Sequence, residues 1–239
     1  MEPIELLEEN VGQVRERISE ACRRTGRVED SVTLVVVTKS VTAEAIRLLW
    51  RLGVRDIGEN RVQETLRKAE ELEDCEFGWH MVGHLQRNKV KAALGLFELI
   101  HSVDSVRLAD EIQRQAESRG RTVRVLVEVN VSGEVAKCGV GRDEARALVE
   151  HISNLEALSL EGLMTMAPFV EDPEDTRRHF AALRELRDEL NAGAALRRPL
   201  STLSMGMTQD FEVAVEEGAD MVRVGTAIFE GLPEQLRLP

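Results

Sequence analysis

Among the 239 residues there is no tyrosine, and six phenylalanines and two tryptophans hold the aromatic content at 3 %. So few rings leave little from which to build a base-stacking surface. Positive charge is in deficit as well. The 31 Lys and Arg face 43 Asp and Glu, giving a net charge of −12 and a pI near 5.0, the wrong sign for a phosphate backbone. The three cysteines, Cys22, Cys75 and Cys138, are odd in number, far apart and in no C-x-x-C pair. That argues against a disulfide framework and against a zinc knuckle, and points to a reducing, cytoplasmic setting. No apolar run is long enough to span a bilayer. The opening MEPIELLEENVGQVRERISEACRR mixes charge and apolar residues at helical spacing, unlike the unbroken apolar stretch of a signal peptide. Neither nucleic acid nor membrane is an expected partner.

What is present is an alternation. Short apolar runs recur at Thr33 to Lys39, Asp56 to Asn60, Phe77 to Val82, Leu99 to Val103, Arg124 to Val131, Leu160 to Thr165, Leu200 to Met205 and Met221 to Gly225. Between them lie segments of helical spacing such as AEAIRLLWRLG, SVRLADEIQRQAESRG and EDTRRHFAALRELRDEL, several opening on Asp, Ser or Thr and closing on Gly as helix caps do. Strands alternating with helices mark βαβ units and a parallel sheet. Eight of them predict an α/β fold, a single (β/α)8 TIM barrel, with an extra N-terminal helix at about Ile4 to Arg24. An open doubly wound sheet would need fewer strands and usually a Gly-rich first turn, which does not follow the first strand. With no Pro- or Ser-rich linker and no low-complexity tract, residues 1–239 are read as one barrel domain.

In such a barrel the chemistry sits at the C-terminal ends of the strands, and phosphate is commonly held after strands seven and eight. Ser204 and Gly206 in LSMGMTQD, and Gly225 and Thr226 in RVGT, supply hydroxyls and backbone N–H groups at those two places. Either turn alone reads as an ordinary strand-to-helix connection. Together they point to an anion site and a phosphorylated ligand. The first strand, VVVTKS, ends on Lys39. Either the amine caps a strand in solvent, or it is sunk at the barrel mouth, where desolvation disfavours the ammonium form and leaves a nucleophile for carbonyls. A phosphate site on the same rim favours an aldehyde bearing a phosphate, and pyridoxal 5′-phosphate meets both demands.

Arg223 shares strand parity with Gly225 and so faces the barrel interior. It would either pair with a buried acid or donate to a pyridine nitrogen and keep that nitrogen unprotonated, a weak electron sink. His80 and His84 are four apart, a zinc spacing on a helix, but this stretch reads as strand and turn with no third ligand in register. A cofactor wall or a packed histidine is the expectation. Lys137, in SGEVAKCG, is an exposed loop lysine or a second amine at the rim. The methionines of LMTM and SMGM read as packing.

These motifs, VTKS, GENRVQE, WHMVGHLQRNK, IHSVDS, VNVSGEVAKCG, LEGLMTMAP, LSMGMTQDF and VRVGTAIFEG, run in order along nearly the whole chain, which resembles the pyridoxal phosphate homeostasis proteins, or proline synthase co-transcribed homologues. The resemblance implies a barrel like the N-terminal domain of alanine racemase, a pyridoxal phosphate enzyme of fold type III, with the cofactor held as a Schiff base on Lys39. It places Asn60, His80, Ser204, Gly206, Arg223, Gly225 and Thr226 around the cofactor, with Met205 flanking it. Thr208 stands where many relatives have Ser and keeps the hydroxyl. It also implies a role in vitamin B6 and amino-acid homeostasis without established turnover. Apo forms of pyridoxal phosphate enzymes are the expected recipients of the cofactor, and a monomer, or alternatively a homodimer, is the expected working unit.

The missing tyrosine bears on that role. The racemase mechanism resembled here sets a lysine on one face of the substrate and a tyrosine from a second, β-rich domain on the other. Composition excludes a two-base racemase of that design, though not a slow or one-base reaction. Three readings therefore stand: a carrier or regulator of the cofactor, a pyridoxal phosphate-dependent racemase or lyase of low activity, and a cofactor-free Schiff-base aldolase barrel.

Overall fold

The apolar runs form strands because both of their faces are covered, one by the barrel interior and the other by helices. In the computed structural model, which describes residues 2–134 and 138–238, all eight expected strands are present and parallel. They are β1 (Thr33–Val37), β2 (Asp56–Glu59), β3 (Gly78–Met81), β4 (Leu99–Val103), β5 (Val123–Glu128), β6 (Leu158–Met164), β7 (Thr202–Ser204) and β8 (Met221–Val224). They close in sequence order into a barrel, sealed where Val35 of β1 stands opposite Arg223 of β8 and Val36 opposite Val224.

Several strands stop short of the expected ends. β1 ends at Val37 rather than Lys39, and β5 at Glu128 rather than Val131. At the end of β1 the backbone leaves the ladder to close a turn, Val41 N–H donating to Thr38 O at 3.2 Å, and beyond β5 Val129 makes an isolated parallel bridge with Val140, Asn130 N–H donating to Val140 O at 2.9 Å. Continuous β-branched sequence does not encode where that exchange happens.

The helices are α1 (Pro3–Arg24), α2 (Ala43–Arg51), α3 (Val62–Glu71), α4 (Val90–Ala93), α5 (Val106–Glu117), α6 (Arg142–Ser153), α7 (Arg177–Gly193) and α8 (Phe211–Glu216). Thr42 and Ser105 cap α2 and α5, their hydroxyls accepting from the N–H of Ala45 and Leu108, each at 3.4 Å. None of the described helices is long and apolar enough to cross a membrane.

Helix α1 is extra in sequence but not in space. The segment after β8 forms turns and a short 3₁₀ helix, Glu234–Leu236, and α1 packs between α8 and α2 in the place of an eighth outer helix. It buries Leu7, Val11, Val14 and Ile18, which lie on one helical stripe, each contributing about 1.5–3 kcal/mol on full burial. Arg17 pairs with Glu212 at 2.9 Å and lies over the Phe211 ring, and Arg24 pairs with Glu216 at 2.6 Å. Asn10 Nδ2 donates to the carbonyls of Ile228 and Glu230. The last residues fold back beside β1: Thr42 N–H donates to Leu236 O, and Leu238 N–H to Ser40 O at 2.8 Å.

The main apolar core fills the space between barrel and helices. Inside the barrel the apolar filling is Leu99, Leu126 and Met164, with Val35 also fully buried. Polar residues occupy much of the rest, an unusual content for a space that branched aliphatic side chains normally fill.

Candidate functional site

At the C-terminal end of the barrel a cavity of about 600 Å³ opens, and Lys39, Asn60, Arg223, Gly225 and Thr226 all line it. These residues come from the ends of β1, β2 and β8, far apart in sequence and brought together only by closure. Met166, Ala167, Pro168 and Phe169, after β6, form an apolar lip, and Met207, Thr208, Gln209 and Asp210, after β7, complete the wall.

Of the two placements weighed for Lys39, the structure takes the solvent-facing one, on the rim of the cavity. It sits on the turn beyond β1 and is exposed rather than sunk between apolar walls, because the strand yields its last buried position to Thr38. Thr38 is tightly held. Its N–H donates to Gly58 O at 2.9 Å, its hydroxyl donates to Glu59 Oε1 at 2.7 Å, and its carbonyl accepts from Lys68 Nζ at 2.8 Å. Lys68, from α3, is itself buried and pairs with Glu59 at 2.6 Å. A buried lysine on the helix side thus anchors the backbone from which the exposed lysine projects.

Asn60 carries a buried Oδ1 with no hydrogen-bond partner among the described residues, an atom that needs an outside donor to avoid a desolvation penalty of about 1–3 kcal/mol. Gly83 lies against it. A Cβ on Gly83 would come within 2.7 Å of Asn60 Cα, so glycine is what allows this approach. On the far side, Gly206 has φ of +93°, and a Cβ there would lie 2.6 Å from Ala214 Cβ. Among the described residues the N–H groups of Thr208, Gln209, Thr226 and Ala227 find no acceptor in the chain. Free N–H groups after strands seven and eight are what an anion needs.

The Arg223 guanidinium is buried, and its partners are neutral oxygens rather than the carboxylate weighed above. Nη1 donates to Ser204 Oγ at 2.6 Å and Nη2 to Thr165 O at 2.7 Å. Of its five N–H donors three remain. Burial lowers its pKa to about 10, partly offset by Asp210 and Glu128, so it is cationic at neutral pH.

Other expected residues lie behind the wall. Ser204, Met205, Gly206 and His80 are buried and outside the cavity lining. The Ser204 hydroxyl lies between Arg223 and His101, at 2.9 Å from His101 Nδ1. His80 is inside the barrel, 2.8 Å from His101 Nε2 and 3.1 Å from Asp56 Oδ1. His84 is on the outer rim, 3.2 Å from Asp104. No group of three or more His, Cys, Asp or Glu among the described residues is placed to hold a metal. Lys137 lies outside the described residues.

The sequence reading missed three residues. Asp210 is buried on the cavity wall, its Oδ1 accepting from Met207 N–H at 2.6 Å, and burial raises its pKa. His101 is fully buried in the centre of the barrel. Glu128, 2 % exposed at the end of β5, is pushed up to about 7 by burial and by Asp104, against the pull of Arg223. An acid closing the apolar run VLVE was the same kind of signal as a lysine closing VVVTK, but extending the strand to Val131 hid it.

Comparison with known proteins gives this arrangement relatives. A family described as Alanine racemase, N-terminal domain, matches residues 9–233. The pyridoxal phosphate homeostasis protein of Aquifex aeolicus is 48 % identical over 92 % of this chain and 96 % of its own length. PipY of Synechococcus elongatus, solved with PLP bound, superposes with a TM-score of 0.82 at 36 % identity, covering 93 % of this chain and 99 % of that one. Alanine racemase of Clostridium difficile shares the barrel, with a TM-score of 0.68 and 18 % identity over 98 % of this chain and 58 % of its own, a likeness of fold alone.

Proposed function

The chain belongs to the pyridoxal phosphate homeostasis protein family, and from that premise we propose that it holds pyridoxal 5′-phosphate in the barrel-mouth cavity and hands it to apo forms of pyridoxal phosphate enzymes. The observation that carries this is a set of unmet partners around one cavity: an exposed amine, an orphaned amide oxygen, unbonded backbone N–H groups and a guanidinium with donors to spare. Lys39 Nζ supports a Schiff base with the aldehyde, water being lost. The N–H groups of Thr208, Gln209, Thr226 and Ala227 and the Thr226 hydroxyl suit the phosphate. Arg223 has N–H groups and no acceptor, so it can serve only an unprotonated ring nitrogen. Bound, the cofactor would supply an electrophilic carbon conjugated to a ring that is, in that state, a poor electron sink.

Holding is favoured over turnover by what surrounds Lys39. The lip after β6 is Met166, Ala167, Pro168 and Phe169, which carry no side chain able to move a proton, and the sequence has no tyrosine. A racemase or lyase of low activity has two buried carboxyls on its side, Asp210 on the cavity wall, its pKa raised by burial, and Glu128, pushed up to about 7.

The test is the visible absorbance of the purified protein, borohydride reduction, and mapping of the modified peptide. A yellow protein bleached by reduction, with phosphopyridoxyl mass on Lys39 and none in Lys39→Ala, is expected. A colourless protein that takes up no added pyridoxal phosphate overturns the reading and leaves the aldolase alternative. Sustained racemisation of single-enantiomer amino acids, many turnovers per site, would favour the enzyme over the carrier.

A further inference from the structure

A line of polar side chains crosses the barrel from one end to the other. It begins at Asp56, at the start of β2, whose side chain is 41 % exposed on the face opposite the cavity. His80 Nε2 lies 3.1 Å from Asp56 Oδ1, His80 Nδ1 lies 2.8 Å from His101 Nε2, and His101 Nδ1 lies 2.9 Å from Ser204 Oγ. Ser204 Oγ is 2.6 Å from Arg223 Nη1, and Arg223 lines the cavity. His80, His101, Ser204 and Arg223 are all buried.

With both rings neutral, elementary donor and acceptor counting fixes the direction of this line. Arg223 can only donate, so Ser204 Oγ accepts from it and is free to pass its own O–H onward to His101 Nδ1. His101 then accepts at Nδ1 and carries its proton on Nε2, donating to His80 Nδ1. His80 in turn carries its proton on Nε2 and donates to the Asp56 carboxylate, which can only accept. Each ring nitrogen and the Ser204 hydroxyl then has a partner. With neutral rings the opposite direction would leave the Ser204 O–H without an acceptor in the line and set a ring lone pair against a carboxylate, and a half-satisfied buried network is costly. Burial, with His80, Arg223 and Arg124 nearby, holds His101 well below its ordinary value, in keeping with a neutral ring.

We propose that Asp56, His80, His101 and Ser204 form a one-way hydrogen-bond relay of positioning residues, in which the carboxylate at the barrel's base sets both imidazole tautomers and thereby orients Arg223 toward the ligand in the cavity. None of the four lines the cavity. The relay thus makes a base-face residue a determinant of ligand affinity at the opposite face. It rests on the pyridoxal phosphate reading only for the identity of the ligand.

The test uses Asp56, whose partial exposure makes substitution tolerable. Asp56→Asn keeps an acceptor for His80 Nε2–H, whereas Asp56→Lys puts a donor there and reverses the demand. Nitrogen NMR of the histidine rings in the ligand-free protein at pH 7 is expected to show His80 and His101 both neutral and protonated on Nε2, in wild type and Asp56→Asn, and to show that pattern lost in Asp56→Lys. Affinity for pyridoxal 5′-phosphate is expected to stay within about twofold of wild type in Asp56→Asn and to weaken about threefold to tenfold in Asp56→Lys, the worth of one neutral hydrogen bond. Either ring protonated on Nδ1, or doubly protonated, in the wild type would overturn the relay. So would an Asp56→Lys protein with altered rings and unaltered affinity. Failure of the wild type itself to bind pyridoxal phosphate would count against the functional reading and leave the tautomer result standing.

Discussion

Glu128→Gln measures what a charge costs inside the barrel mouth. The carboxyl is 2 % exposed, its Oε2 has no hydrogen-bond partner among the described residues, and burial, then Asp104, raise its pKa from 4.5 to about 7 against the pull of Arg223. Below pH ~4.5 both folded and unfolded chains carry the proton, and the group adds no pH-dependent cost. Between about 4.5 and about 7 the folded protein keeps a proton that the unfolded chain has released, so stability falls as pH rises. Above that window the full cost is in force, roughly 3 kcal/mol for a displacement of this size. Glutamine preserves shape without charge. The variant should therefore match wild type near pH 4.5 and exceed it at pH 8 by roughly 3 kcal/mol, or about 6–12 °C in Tm for a chain of this length. Urea titrations of cofactor-free protein at the two pH values read the difference directly. If the advantage of the variant does not grow from the lower pH to the higher, the carboxyl is not paying a desolvation cost and the reasoning fails.

Lys68→Met should cost about 3–5 kcal/mol, because it strands the buried Glu59 charge and frees the Thr38 carbonyl. Adding Glu59→Leu should recover most of that loss, and a single variant as stable as wild type by denaturant titration would show the pair to be idle. Gly206→Ala should cost about 2–4 kcal/mol, since a Cβ there meets Ala214 and Phe211 at a φ of +93°. Gly26→Ala, at a φ of +69° with nothing within 4 Å, should cost only about 1 kcal/mol, and equal losses in the two would contradict the packing argument.

The barrel was legible because its signal is repetitive: a run such as VVVTKS or VLVEV alternating with capped helical stripes leaves few topologies. Lys39, Asn60, Arg223, Gly225 and Thr226 could be placed on one rim because each stands in or just after the last residues of a strand, and strand ends share a face. Depth was not legible. Whether Lys39 is inside or outside depends on where β1 gives way to its turn, and that is decided by Thr38 bonding to Glu59 and Lys68, residues of the next unit. His101 escaped attention for a similar reason. The segment LIHSV shows a lone histidine in an apolar strand, and only barrel closure reveals that His80 and Ser204 stand beside it. Helix α1 looks like an addition in the sequence because adjacency across the join between the two ends of a closed ring has no trace in local spacing.

That join has a consequence for how the protein comes into being. Asn10 is bonded to the carbonyls of Ile228 and Glu230, and the turn that carries Lys39 is bonded through Ser40 and Thr42 to Leu238 and Leu236. Helix α1, made before any of the eight strands, must wait for β8 and the segment after it before it has a seat, and the loop that carries Lys39 is fastened by residues made after all eight strands. Contacts of such long sequence separation form late and slowly. The loop that carries Lys39 therefore stays unfastened until the segment after β8 has been made, so that the wall of the cavity at Lys39 is completed only once all eight strands are in hand.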